Sequence, residues 1–150
     1  MYYIIIGDGP QRGYLESLTK KYNLQQQVKF FGYVENVQDY YNIFDYTIVY
    51  WQYHHQNFPN IGTKSVESMA CGVPILHFNP DSLCEGYVEG KSGYFIDSKE
   101  NKKKLKKVLV HLISKNDNAG IGKEARLFAE KNFDIQKYYE LIFLKMANYK

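Results

Sequence analysis

The sequence predicts an α/β fold, a parallel sheet covered by helices, and three observations carry that expectation. Short apolar runs alternate with longer amphipathic stretches along the chain. Glycine and proline punctuate the joints between them. With 45% hydrophobic and 23% charged residues among 150, the composition is that of a folding chain; it excludes a disordered or collagen-like one and points to a single domain over residues 1–150. The 15 Tyr and 9 Phe suit half-buried positions where a ring packs inward and a hydroxyl reaches water.

Residues 2–6 form an apolar run bounded by Gly7-Asp8-Gly9-Pro10, and Pro10 suits the first turn of a helix on which Leu15, Leu18 and Tyr22 recur. A second strand covers residues 28–31 and ends at Gly32. Asn36 and Asp39 resemble an N-cap pair opening a short helix whose apolar face is Val37, Tyr40, Tyr41 and Phe44. A third strand, residues 46–50, runs into a polar stretch over 52–61 that is too long for a plain connection, and long loops of this kind carry function. Gly62 and Thr63 open a helix that reaches Cys71 and is closed by Gly72; residues 74–78 make a fourth strand and 94–96 a fifth, after Lys91-Ser92-Gly93. From Lys99 onward the chain is helical. Leu105, Val108, Leu109, Leu112 and Ile113 form a stripe, and Lys102, Lys103, Lys104, Lys106 and Lys107 crowd the other face, as a solvated surface or as a contact with an anionic membrane. Further helices cover 121–131 and 135–146.

A net charge of +3 is too small to demand a nucleic-acid partner, and none is expected. Cys71 and Cys84 form no Cys-x-x-Cys pair and have no ligand-spaced histidine, so neither a disulfide framework nor a metal site is expected, and a reducing cytoplasm fits. No apolar stretch approaches the roughly 20 residues that span a bilayer, and Met1 leads into Tyr2-Tyr3-Ile4-Ile5-Ile6 without the basic start of a signal peptide. The expected location is cytoplasmic, with peripheral membrane contact as the furthest departure from it.

Two segments have the chemistry of an anion site. Gly7-Asp8-Gly9-Pro10-Gln11-Arg12-Gly13 joins a strand to a helix, as a dinucleotide loop does, but the acidic residue that such a site wants at the end of the next strand is replaced by Gly32; a tight turn needing glycine explains the loop as well. Residues 60–74 are more informative. Gly62 and Thr63 leave free N–H groups at a helix start, Lys64 adds a cation to the first turn, and Glu67 follows three residues on, on the same face. Such a start can hold a diphosphate while the carboxylate accepts hydrogen bonds from ribose hydroxyls; the plainer alternative is a surface Lys/Glu pair.

Glu67-Ser68-Met69-Ala70-Cys71-Gly72-Val73-Pro74 resembles the Glu-Ala-Met-Ala-Cys-Gly-x-Pro signature of the retaining glycosyltransferases of family 4, the group 1 type. The likeness continues in order through Gly7-Asp8-Gly9-Pro10, Phe31-Gly32-Tyr33-Val34, Asp45 and Glu89-Gly90-Lys91-Ser92-Gly93. It implies the C-terminal, donor-binding half of a GT-B fold: a Rossmann-like parallel sheet with helices on both faces, without the acceptor half and without the half's usual first strand and helix. A missing acceptor domain or partner chain is therefore expected.

By the same resemblance Glu67 matches the glutamate that holds the donor ribose. The other glutamate of the family's Glu-x7-Glu motif falls at Pro59, and Gln56-Asn57-Phe58-Pro59 resembles Glu-Gly-Phe-Pro with Gln56 in place of the acid. A related branch carries Lys-x-x-Glu with the lysine on phosphate, which Lys64 and Glu67 fit. The implied catalytic residues are Lys64 and Gln56; the implied substrate-binding residues are Gly32, Tyr33, Val34, Ile61, Gly62, Thr63, Lys64 and Glu67. Gly32-Tyr33-Val34 would meet the nucleobase or be an ordinary turn, and His54 and His55 would face the sugar or be polar loop residues. The expected substrate is a nucleotide sugar, a UDP-sugar ahead of a GDP-sugar, with no cofactor and no metal. The expected function is the donor-binding part of a glycosyltransferase for surface polysaccharide or O-antigen. The alternatives are a non-catalytic nucleotide-sugar module acting with a partner chain and a GT-B-like sugar-nucleotide epimerase.

Overall fold

The computed structural model describes residues 1–50, 62–78, 89–96, 101–114 and 118–147. They fall into two units, Met1–Val37 and Gln38–Lys150.

In the first unit, β1 (Tyr3–Ile6), α1 (Arg12–Lys21) and β2 (Val28–Gly32) follow one another. The strands pair in parallel, Tyr3 opposite Val28 and Ile5 opposite Phe30, with an irregularity between Ile5 and Ile6 that brings Ile6 opposite Gly32. Helix α1 starts at Arg12, later than Pro10, because Pro10 lies in a tight turn in which the Arg12 amide donates to the Gly9 carbonyl at 3.0 Å. It ends at Lys21, and Asn23 two residues on, with φ 56°, turns the chain away while the Leu24 amide reaches back to the Thr19 carbonyl at 2.9 Å. No residue of α1 is buried, and Leu15 remains 38% exposed. A sheet of two short strands is too narrow to cover a helix face.

The second unit holds β3 (Thr47–Tyr50), α3 (Thr63–Ala70), β4 (Ile75–Phe78), β5 (Gly93–Ile96), α4 (Asn101–Ser114), α5 (Asn118–Asn132) and α6 (Ile135–Ala147); α2 (Val37–Tyr41) starts at the boundary. Strand order is β3-β4-β5, parallel throughout, with Thr47 opposite Ile75 and Ile75 opposite Gly93. All pairings between the described strands are thus parallel, as the alternation of apolar and amphipathic runs predicts. Central β4 is buried from Ile75 to His77, with Ile75 and Leu76 apolar, as a strand covered on both faces must be.

The core of this unit gathers Val49, Met69, Ile75, Ala125 and Ala129, with Phe128 and Phe133 against them. Helix α5 packs on α3 through glycine: a Cβ at Gly122 would overlap the carbonyl oxygen of Gly72. Buried Ser68 fastens α3 to the sheet, its Oγ lying 2.7 Å from Thr47 Oγ1 and 3.0 Å from the Val73 carbonyl oxygen. On α4, Leu105, Val108, Leu109 and Leu112 are half-buried while Lys103, Lys106 and Lys107 are exposed, the arrangement of a solvated lysine face. Helix α6 leaves Ile135, Tyr139, Phe143 and Met146 exposed at helical spacing. No helix among the described residues is long and apolar enough to cross a membrane.

Candidate functional site

Helix α3 begins where Gly62 takes φ 70° and ψ 132°, a left-handed φ that a side chain would strain. Gly62 has no side chain with which to cap the helix, so the first amides, those of Thr63 and Lys64, have no partner within it. No acidic residue occupies the first turn; Lys64 stands there instead, exposed. The positive end of the helix dipole and a cation thus coincide without compensation from α3 itself, an arrangement that costs stability unless an anion is received. Beside them, the Oγ of fully buried Ser65 has no hydrogen-bond partner.

The charge of Lys64 is felt at His77, the next-to-last residue of β4, which is 1% exposed. Burial, and after it the Lys64 charge, hold the His77 imidazole below its ordinary value, so the ring is neutral at pH 7. The start of α3 therefore bears on the C-terminal end of β4, where ligands sit in parallel α/β sheets.

One turn further along α3, Glu67 is half-buried. It stands near the hydroxyl of Tyr41, the last residue of α2, which donates to the Lys64 carbonyl at 3.2 Å. Burial first, then the Glu67 charge, Cys71 and a hydrogen bond with Glu67 push the Tyr41 phenol up to about 12. The Cys71 thiol is raised by burial and by Glu67 and lowered by the Arg126 guanidinium of α5. Glu67 thus acts on both Tyr41 and Cys71.

In the first unit, Gly32 ends β2 with φ 71°, and its carbonyl accepts from the Gly7 amide at 2.6 Å. A Cβ there would come within 3.2 Å of Arg12 Nη1. The guanidinium over Gly32 is engaged by its own helix and loop, with Nε 2.9 Å from Glu16 Oε1 and Nη1 3.4 Å from Asp8 Oδ2. Tyr33 is 82% exposed and Val34 half-buried.

Helix α3 therefore brings Gly62, Thr63, Lys64 and Glu67 together, whereas Gly32, Tyr33 and Val34 gather at the end of β2 in the other unit. Gln56, Ile61, His54 and His55 lie outside the described residues. Among the described residues no three His, Cys, Asp or Glu side chains gather as metal ligands would. Tyr41, His77 and Arg126 are absent from the sequence-derived site. Tyr41 counts there as part of an apolar face, and its hydroxyl was the available clue.

The sequence matches the family described as "Glycosyl transferases group 1" over residues 1–133. An α-monoglucosyldiacylglycerol synthase of Acholeplasma laidlawii is 30% identical over 113 residues, 73% of this chain and 26% of that protein. Among solved structures, Anabaena HepE in complex with UDP superposes with a TM-score of 0.79 at 21% identity over 99% of this chain and 41% of that one. Staphylococcus aureus TarM superposes with a TM-score of 0.78 at 20% identity over 95% of this chain and 28% of that one. These likenesses show the fold, an α/β architecture of the GT-B type. The chain spans 20% to 36% of the length of the curated relatives it matches.

Proposed function

The chain belongs to the group 1 glycosyl transferases, and from that premise we propose that it is the donor-binding part of a retaining glycosyltransferase, corresponding to the C-terminal half of a GT-B enzyme. The observation that carries this reading is the uncompensated positive start of α3, where Gly62, the Thr63 and Lys64 amides and the Lys64 ammonium meet with no acid in the first turn. Glu67 follows three residues on from Lys64, one helical turn further along α3. HepE, which shares the fold, was crystallised with UDP and with UDP-glucose, which supports a UDP-sugar ahead of a GDP-sugar.

In transfer from a nucleotide sugar, negative charge develops on the departing diphosphate. Fixed N–H dipoles and an ammonium aimed at it lower the barrier without moving a proton, and a low-dielectric site strengthens them. Lys64 and Gln56 are the catalytic residues in this account and Glu67 holds the ribose hydroxyls; the assignment of Gly32, Tyr33 and Val34 to the base rests on the resemblance alone. Gln56 stands where the family's acid would, and Ile61 precedes the phosphate-binding turn. The acceptor, a surface-polysaccharide precursor on the resemblance alone, falls to a further domain or partner chain.

A titration of the whole chain with UDP, GDP, uridine and pyrophosphate, followed by amide NMR, tests the reading. UDP is expected to bind weakly and ahead of GDP, with the largest shifts at Gly62, Thr63 and Lys64. Absence of binding by either nucleotide, or shifts confined to residues away from α3, would overturn it.

A further inference from the structure

We infer that Arg12 is a positioning residue for the base end of the nucleotide site: its guanidinium, clamped between Asp8 and Glu16, roofs Gly32 and holds the Gly32-Tyr33-Val34 turn in the shape that meets a nucleobase. The inference rests on the assignment of that turn to the base above.

Gly32 ends β2 beside the end of β1, and the C-terminal edge of parallel strands is where such sheets receive ligands. A glycine at a chain reversal is the loosest point of a backbone, so a turn that meets a ligand through it must be fixed from outside. Two groups do so. The Gly7 amide donates to the Gly32 carbonyl at 2.6 Å. The Arg12 guanidinium lies so close that a Cβ on Gly32 would stand 3.2 Å from Nη1. Gly32 is accordingly buried, although it sits at the end of a two-stranded sheet, while Tyr33 beside it is 82% exposed.

The guanidinium is itself held from two elements. Nε donates to Glu16 Oε1 at 2.9 Å and Nη1 to Asp8 Oδ2 at 3.4 Å; the other Asp8 oxygen accepts from the Gly9 amide at 2.7 Å, which ties the carboxylate to its loop. Exposed pairs four residues apart add little to stability, so the effect of this clamp falls on where the side chain stands. Two carboxylates against one guanidinium leave the cluster with one net negative charge. That disfavours phosphate beside Gly32 and suits an uncharged ring, which leaves the diphosphate to the positive start of α3.

The test titrates uridine and pyrophosphate into the whole chain, followed by amide NMR, with melting temperatures measured alongside. Arg12→Gln is expected to weaken uridine about three- to tenfold, to move the amide signals of Tyr33 and Val34, and to leave pyrophosphate affinity and melting temperature unchanged. Arg12→Lys keeps the charge but not the planar fork and should resemble Arg12→Gln. Glu16→Ala, which keeps the guanidinium and loosens its clamp, should weaken uridine too and add nothing in the Arg12→Gln background. Lys137→Gln breaks another surface pair, that with Asp134, and should change neither ligand. Three outcomes would overturn the inference and leave the donor-binding reading standing: uridine binding that ignores Arg12→Gln but falls with Gly32→Ala, a loss with Arg12→Gln that Glu16→Ala does not share, or a loss that extends to pyrophosphate or to the melting temperature. Uridine that moves no amide of Gly32, Tyr33 or Val34 in the wild type would sink it together with the assignment of the base, and a wild type that binds neither probe would sink the donor-binding reading as well.

Discussion

Lys64 and Glu67 stand one turn apart on α3 and are assigned different halves of the same ligand, so their losses should separate by ligand. Lys64→Ala removes a charge-assisted contact to phosphate and is expected to cost roughly 1.5 to 3 kcal/mol of UDP binding and little of uridine binding. Glu67→Ala should weaken both, and calorimetry on the two variants reads the difference. If both variants lose UDP and uridine alike, the division of labour fails. His77 supports a second prediction, in pH. Its imidazole is neutral in the folded chain, held below the ordinary 6.5 by burial and by Lys64, so the unfolded state binds more protons in the window just below that value. Its contribution to stability is therefore complete above 6.5 and declines as pH falls beneath it. Urea unfolding between pH 7.5 and 5 should show this fall, and His77→Gln should flatten it. An unchanged slope in the variant would assign the effect to another group.

The packing of α3 decides where the site stands, and glycine governs that packing. Gly122→Ala would drive a methyl group into the Gly72 carbonyl and is expected to destabilise the second unit by about 1 to 3 kcal/mol in urea unfolding, with no loss at an exposed α5 position such as Lys123→Ala. Much of this element was legible beforehand. Residues 62–71 read as a helix because glycines flank an amphipathic run, and the structure differs by placing the end at Ala70 and the turn at Cys71 and Gly72. Strands β3, β4 and β5 were legible as short apolar runs between turn residues, and each begins within a residue of the expected position. Two things were not. The exposure of α1 follows from the narrowness of the sheet beside it, which no pattern in residues 12–22 encodes. The contact of Tyr41 with Lys64 joins residues of different helices, and the periodicity of either helix says only that Tyr41 lies on an apolar face.

At the scale of the whole chain, the match to only 20% to 36% of the length of its curated relatives sets the expectation for activity. Purified alone and supplied with UDP-glucose and a lipid-linked acceptor, the 150-residue chain is expected to give no sustained product, because the proposed donor-binding role leaves acceptor recognition to a further domain or partner chain. Turnover above the buffer control would refute this. The exposed apolar residues of α6 carry a prediction of their own. Phe143→Glu with Met146→Lys should raise the soluble yield of the isolated chain at unchanged melting temperature, because both side chains are exposed among the described residues. The parallel pairing of the strands reaches beyond the native state, into how the chain arrives there. Tyr3 meets Val28, Thr47 meets Ile75 and Ile75 meets Gly93, so neither sheet can nucleate as a hairpin, and each pairing waits on the closure of a long loop. Refolding should therefore be slow beside a helical bundle of equal length, and during that interval the Ile4-Ile5-Ile6 and Ile48-Val49 segments are unpaired and free to find the same segments on other chains. Time spent half-folded, more than any weakness of the finished fold, sets the concentration at which this polypeptide can be handled.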